Sequence, residues 1–188
     1  MDIILASNSP RRQEILKMLK IPFTVMKADT EEKWDQQLSI KDNSLQIAKE
    51  KANIIAKQNK NAIVIAGDTV VVKDGQVFGK PKHKKEAYDM LQVLSNAKHQ
   101  VYTSIVVQKN DYILSDVIIS DIYFMPIPKK VLNNYLLGDE WKDKAGAYAI
   151  QGFLARYIER IDGDYYAVMG LPLAKLNFLL QKILNTLK

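Results

Sequence analysis

The run Ala62-Ile63-Val64-Ile65-Ala66-Gly67-Asp68-Thr69-Val70-Val71-Val72 decides the fold class. Residues 62–66 carry no polar side chain, so a strand built from them cannot alternate between core and solvent. It is expected to be covered on both faces, as in a sheet flanked by helices. Gly67-Asp68-Thr69 punctuates the run, which places Asp68 just past the end of the first strand and before Val70-Val71-Val72. Lys73-Asp74-Gly75-Gln76 then supplies a tight antiparallel turn around Asp-Gly. One short region therefore predicts a sheet with both parallel and antiparallel neighbours.

The flanking segments agree. Towards the N-terminus, residues 2–6 read as a short buried strand. Ser9 and Pro10 suit the cap and first turn of a helix running to about residue 20, with Ile15, Leu16 and Leu19 at helical spacing. A second strand is expected at 23–26. An acidic loop holds Asp29-Thr30-Glu31-Glu32, and a long helix starts at Asn43 or Ser44 and ends near 59. Beyond the hairpin, the pattern predicts a helix over 84–96, strands over 100–108 and 112–125, and a helix after Pro128 ending at Gly138. A strand over 154–160 and a last helix over 173–187 complete the chain. Strands and helices alternate early and antiparallel strands gather in the middle, so the expectation is a mixed α/β sheet with flanking helices. No repeat, low-complexity run or linker divides residues 1–188, which read as a single domain.

Composition narrows the chemistry. The 188 residues are 47% hydrophobic and 26% charged, enough for a sizeable core and far from a disordered composition. Cysteine is absent, which excludes disulfides, thiolate nucleophiles, zinc-thiolate sites and iron–sulfur clusters and fits a reducing cytosol. His83 and His99 are the only histidines, and their polar neighbours read as surface. No apolar stretch approaches the length of a membrane span, and Asp2 ahead of four apolar residues does not read as an export signal, so a cytoplasmic protein without a membrane partner is expected. The net charge of +6 favours a polyanionic partner, but 23 of the 27 cations are lysines and only four are arginines, at 11, 12, 156 and 160.

Two of those arginines stand in Ser7-Asn8-Ser9-Pro10-Arg11-Arg12, where a strand passes into a helix. A helix N-terminus offers unpaired N–H groups and partial positive charge, and Ser7, Ser9, Arg11 and Arg12 add donors for phosphate oxygens. Cations disfavour that end of a helix by about 0.3–1 kcal/mol each, which points to an external anion. A capped surface helix with solvated arginines is the plain alternative. Asp68 could hold Mg2+ or take a proton from water, or be a turn residue bonded to its own backbone. Glu31 and Glu32 could add a second carboxylate, or be solvated. Lys51 and Lys80 are candidate phosphate cations among many surface lysines. In residues 143–152, Asp-Lys-Ala-Gly-Ala-Tyr-Ala-Ile-Gln-Gly, small residues allow close approach to a ligand and the Gln151 amide could read a base edge, with a tight surface loop as the plain alternative. A P-loop is excluded, because Gly75 and Gly79 are too close and Pro81 replaces the hydroxyl residue. Clustered aromatics and nucleic-acid motifs are missing, so no nucleic-acid partner is expected.

In this order the segments resemble the Maf family of nucleoside triphosphate pyrophosphatases, also called septum-formation-inhibitor-like proteins. The resemblance runs through Leu5-Ala-Ser-Asn-Ser-Pro-Arg-Arg12, Glu31-Glu32, Ala48-Lys-Glu-Lys51-Ala52, Gly67-Asp-Thr-Val-Val71, Gly79-Lys-Pro81, residues 143–152 and Gly170-Leu-Pro172. It implies an inosine-triphosphatase-like fold of two lobes around a cleft, a homodimer, and a divalent cation, Mg2+ or Mn2+. The implied reaction is attack of water on the α phosphate, giving the monophosphate and pyrophosphate. Asp68 matches the catalytic acid and Glu32 its partner, both as metal ligands, although Glu31 leaves open which acid of the loop reaches the metal. Arg12, Lys51 and Lys80 match phosphate-site cations. Arg11, Thr69 and Gln151 resemble the dTTP/UTP branch, where the branch acting on 7-methyl-GTP has Trp, Gln and Glu. A non-enzymatic nucleotide-binding regulator of cell division is the rival that the family name suggests.

Overall fold

The computed structural model describes residues 2–186, and in it the opening run forms one uninterrupted strand, β3 (Ile63–Lys73). Gly67-Asp68-Thr69 does not stop it. A Cβ on Gly67 would lie 2.8 Å from the backbone oxygen of Ser104, so the missing side chain lets two strands stay close where any larger residue would force them apart. The β-branched Thr69 to Val72 then sustain the extended backbone. Asp68 thus sits inside a strand, not past its end as the sequence pattern suggests. Among the described residues the sheet has seven strands: β2 (Thr24–Val25), β1 (Ile3–Leu5), β3, β5 (Lys98–Lys109), β6 (Tyr112–Phe124) and β7 (Ile158–Asp162) lie side by side in that order, and β4 (Gln76–Phe78) also pairs with β3. The expected mixed α/β architecture with flanking helices is present.

The chain divides into two units, each assembled from separated segments. The first comprises Met1–Asp68, Thr103–Ile118 and Gly170–Lys188. In it, β1 (Ile3–Leu5) pairs in parallel with β2 (Thr24–Val25) and with β3, where Ile4 stands opposite Val64. Helix α1 (Pro10–Lys17) follows β1 directly. Helix α2 (Ile40–Gln58) lays Ala48, Ala52, Ile55 and Ala56 against Ile4, Val64, Ala66 and Val106. Each Ile or Val fully removed from water there contributes about 1.5–3 kcal/mol. Helix α2 begins earlier than the expected Asn43 or Ser44, because the Ser39 hydroxyl accepts from the Asp42 N–H at 3.1 Å and donates to its carboxylate at 2.6 Å. Asn43 lies one turn inside and bonds the Asp35 backbone instead. The last helix of this unit, α6 (Leu173–Thr186), matches the expectation as far as Thr186, and Leu187 lies outside the described residues.

The second unit comprises Thr69–Tyr102 and Ile119–Met169. The hairpin from β3 into β4 (Gln76–Phe78) turns at Asp74 and Gly75, both at positive φ, as the Asp-Gly pair predicts. Helix α3 (Lys84–Leu94) is capped by the His83 ring, which accepts the Glu86 N–H. Helix α4 (Lys129–Tyr135) follows Pro128 as expected. Two long strands, β5 (Lys98–Lys109) and β6 (Tyr112–Phe124), pass from one unit into the other, as β3 does. Residues 154–160 are not one strand: a 3-10 turn over Phe153–Tyr157 precedes β7 (Ile158–Asp162), which pairs antiparallel with β6. A short helix, α5 (Tyr165–Met169), goes unforeseen; the Asp164 carboxylate caps it through the N–H groups of Tyr166 and Ala167. His99 is a second correction. It reads as surface from its neighbours in sequence but is 1% exposed, because strand alternation turns it inward between Lys98 and Gln100. No helix among the described residues is long and apolar enough to cross a membrane.

Candidate active site

Strand β1 delivers the chain to Ser7, and the turn into α1 places Arg12 one helical turn further on. The Ser9 hydroxyl makes no capping bond. Its N–H donates to Ser7 Oγ at 3.2 Å instead, and Ser7 Oγ also accepts from Arg12 Nη1 at 3.1 Å. Arg12 Nε donates to the Gly170 carbonyl at 2.8 Å, so the guanidinium is held at two edges. Burial pulls its pKa down, the carboxylates of Asp68 and Glu32 oppose that pull, and Arg11 adds to it. A guanidinium remains charged under such a shift. Arg12 is therefore a fixed, half-buried cation facing two acids, with Arg11 half-buried beside it.

Asp68 is 7% exposed, and both of its oxygens are engaged. Oδ1 accepts from Lys51 Nζ at 3.1 Å and Oδ2 from Ser44 Oγ at 3.2 Å. Ser44 and Lys51 lie two turns apart on one face of α2, alongside the apolar stripe of Ala48, Ala52 and Ile55. Ser44 Oγ is also 2.8 Å from Ser104 Oγ on β5, and both serines are fully buried. An ionised carboxylate can only accept, so Ser44 donates to Asp68 and must accept from Ser104. The direction of that chain is fixed by chemistry.

Lys51 Nζ also lies 2.8 Å from Glu32 Oε1. The lysine side chain is 12% exposed and Glu32 52% exposed, so one ammonium joins a buried and a solvent-facing carboxylate. Glu31 points elsewhere and pairs with exposed Lys33 at 3.3 Å. Of the two acids in that loop, Glu32 is the one brought to Asp68. Two carboxylates converging on one cationic point are hard oxygen donors suited to a divalent ion. Mg2+ is commonly held by one or two carboxylates plus substrate phosphates, not by an all-protein cage.

Ser7, Ser9, Arg11, Arg12, Glu32, Lys51 and Asp68 all belong to the first unit, and Arg12, Glu32, Lys51 and Asp68 are brought together there. Thr69, Lys80 and Gln151 belong to the second. Thr69 is half-buried and follows Asp68 in β3, so the two side chains leave opposite faces of the strand. Lys80 and Gln151 are exposed. Within that unit, Gly146 N–H donates to the Gly79 carbonyl at 3.1 Å and ties the 143–152 segment to the turn that carries Lys80. Sequence reasoning misses Ser44, Ser104 and the Gly170 carbonyl. The serines carry little local signal: Ser44 follows Lys41-Asp42-Asn43 at the start of a helix and Ser104 follows Thr103 in Val-Tyr-Thr-Ser-Ile-Val-Val, so neither stands out without its partner in view.

Comparison with known proteins adds to this geometry. A family model described as Maf-like protein matches residues 2–183. A dTTP/UTP pyrophosphatase of Caldicellulosiruptor bescii is 42% identical over 187 residues, covering 96% of this chain and 94% of the relative. A protein of the same name from Fusobacterium nucleatum is 44% identical over 180 residues, covering 94% and 92%. Among solved structures, the Staphylococcus aureus Ham1 protein overlaps 66% of this chain and 71% of its own at a TM-score of 0.45 and 17% identity.

Proposed function

The chain belongs to the Maf-like family, and from that premise we propose that it is a nucleoside triphosphate pyrophosphatase acting on dTTP and UTP. It cuts between the α and β phosphates and releases the monophosphate and pyrophosphate. The observation that carries this reading is Lys51 joining Asp68 and Glu32 next to the pinned guanidinium of Arg12. A simple phosphate binder gains nothing from two acids at its anion site, whereas hydrolysis needs a base as well as cations.

Asp68 serves as general base for the attacking water. Its Oδ2 is held by Ser44 and its Oδ1 by Lys51, and each oxygen keeps accepting capacity for a water proton. Lys51 offsets the mutual repulsion of Asp68 and Glu32. Arg12, held by Ser7 and Gly170, presents fixed positive charge where the triphosphate accumulates negative charge, so little reorganisation accompanies reaction. Ser7, Ser9 and Lys80 complete the phosphate contacts, and Arg11, Thr69 and Gln151 read the pyrimidine. Asp68 and Glu32 would hold a divalent cation, Mg2+ or Mn2+, which supplies Lewis-acid neutralisation of phosphate oxygens when bound. A homodimer in the cytoplasm completes the proposal.

The test is pyrophosphate release across a panel of nucleoside triphosphates, with and without Mg2+ or Mn2+. Metal-dependent release, greatest with dTTP and UTP, is expected. Asp68→Asn should cut turnover by about a hundred- to ten-thousand-fold with the fold retained. Near wild-type turnover by that variant would sink the role given to Asp68.

A further inference from the structure

One buried polar cluster of the second unit has no part in the chemistry of Asp68. His99 Nε2 and the Tyr148 hydroxyl are 2.7 Å apart. The His99 ring stands edge-on to Phe124 and Tyr148, with centroids 5.1 and 5.5 Å away. Its Nδ1 is buried without a hydrogen-bond partner among the described residues. Burial, aided by the charge of Lys73, lowers the His99 pKa to about 4, and burial raises that of Tyr148, so both are neutral at working pH. An apolar pair would pack here without leaving a ring nitrogen bare, so packing alone does not account for the hydrogen bond.

The use of that bond lies in the turn immediately after Tyr148. Gly152 N–H donates to the Ala149 carbonyl at 3.1 Å, closing a tight turn with Ile150 and Gln151 at its centre. Ile150 is buried and Gln151 exposed. On the far side, Phe153 N–H donates to the Glu140 carboxylate at 2.9 and 3.2 Å. A Cβ on Gly152 would meet Glu140 Oε1 at 1.9 Å, so only glycine lets that carboxylate reach Phe153. The turn is thus tied on both flanks, to side chains 49 and 13 residues away in sequence.

We propose that His99, through Tyr148, and Glu140, through Phe153, are positioning residues that clamp the 149–152 turn and so set discrimination among nucleotide bases. The proposal rests on Gln151 being the base-reading residue, and it identifies what makes that exposed amide selective. A base-reading amide offers a donor and an acceptor on one planar group. If its backbone swings, either edge can meet the ligand and the discrimination is lost.

The experiment compares wild type with His99→Phe, Tyr148→Phe, Glu140→Ala and Glu140→Gln, measuring steady-state kinetics on dTTP, UTP, CTP and GTP and hydrogen exchange at the Gly152 and Phe153 amides. Tyr148→Phe removes only a hydroxyl and serves if His99→Phe does not fold. The expected result for the loosened variants is a KM for dTTP and UTP raised about five- to twenty-fold, kcat within about two-fold, and a reduced preference over GTP. Exchange at Gly152 and Phe153 should rise by about ten-fold or more. Glu140→Gln, whose amide oxygen still accepts from Phe153, should stay near wild type. Unchanged base preference overturns the proposal, whether or not exchange quickens, since a merely structural latch would alter stability alone. A wild-type protein that hydrolyses dTTP and UTP no faster than other nucleotides overturns the reading of Gln151 itself. That result is visible before any variant is compared.

Discussion

Lys51 illustrates how much of the site depends on small partners. Its ammonium lies within 3.1 Å of Asp68 and 2.8 Å of Glu32, yet Asp68 keeps its orientation through Ser44, which is in turn held by Ser104. Hydrogen bonds to charged groups contribute about 1.5–3 kcal/mol, so Ser44→Ala should lower stability by about that amount in denaturant unfolding. It should also reduce kcat on dTTP about ten-fold with little change in KM, because Asp68 acts on the bound substrate. Ser44→Thr, which keeps the hydroxyl, should recover most of both; equal losses in the two variants would mean that volume, not the hydroxyl, matters. Asp68 and Arg12 were legible in the sequence because a carboxylate after an apolar strand and a scarce arginine pair at a helix start stand out, whereas Lys51, one of 23 lysines and inside a helix, was singled out only by the family resemblance. Ser44 and Ser104 were not, since a lone serine carries no charge and its burial depends on a partner 60 residues away.

At the scale of elements, β3 matters most. Its continuity through Gly67 is what places Asp68 inside a sheet and against α2. Gly67→Ala would put a methyl 2.8 Å from the Ser104 carbonyl, and a backbone atom cannot swing aside as a side chain could. Overpacking of this kind costs about 1–3 kcal/mol, so a lower melting temperature is expected, with turnover reduced because both Asp68 and the Ser44–Ser104 pair sit at the same strand contact. A variant as stable and active as wild type would show that the strands can separate freely there. The sequence conveyed the strand because five consecutive apolar residues leave no solvent face. It misled on the interruption because Gly-Asp-Thr resembles a turn whenever the neighbouring strand is out of view. The early start of α2 and the cap of α5 were missed for a related reason: Ser39 and Asp164 act through single local hydrogen bonds that many loop residues could make.

For the whole molecule, the His99 cluster couples stability to acidity. The folded imidazole titrates near 4 against an ordinary value of 6.5, with burial the main cause and Lys73 acting in the same direction. Between those values the unfolded chain binds a proton that the folded one does not, so stability rises with pH across the window. The contribution is complete above pH 6.5, drains as the pH falls, and is gone below about pH 4. It amounts to roughly 3 kcal/mol. Melting temperatures from pH 7 to pH 4.5 should fall in the wild type and fall less in His99→Phe; parallel curves would show that other groups control the acid limb. This cluster was hidden from sequence reading because His99 stands between a lysine and a glutamine and meets Tyr148 only across the fold. The fold class and the family's motifs were accessible because they are local and ordered along the chain. The latches that hold those motifs in place are long-range pairs.

The central claim is that water, activated beside Asp68, attacks the α phosphate of a pyrimidine triphosphate. Hydrolysis of dTTP in water labelled with heavy oxygen, followed by mass analysis of both products, tests it most directly. One labelled oxygen in the thymidine monophosphate and none in the pyrophosphate is predicted, with the reaction lost in Asp68→Asn. Label in the pyrophosphate, or release of the diphosphate and orthophosphate instead, would contradict it.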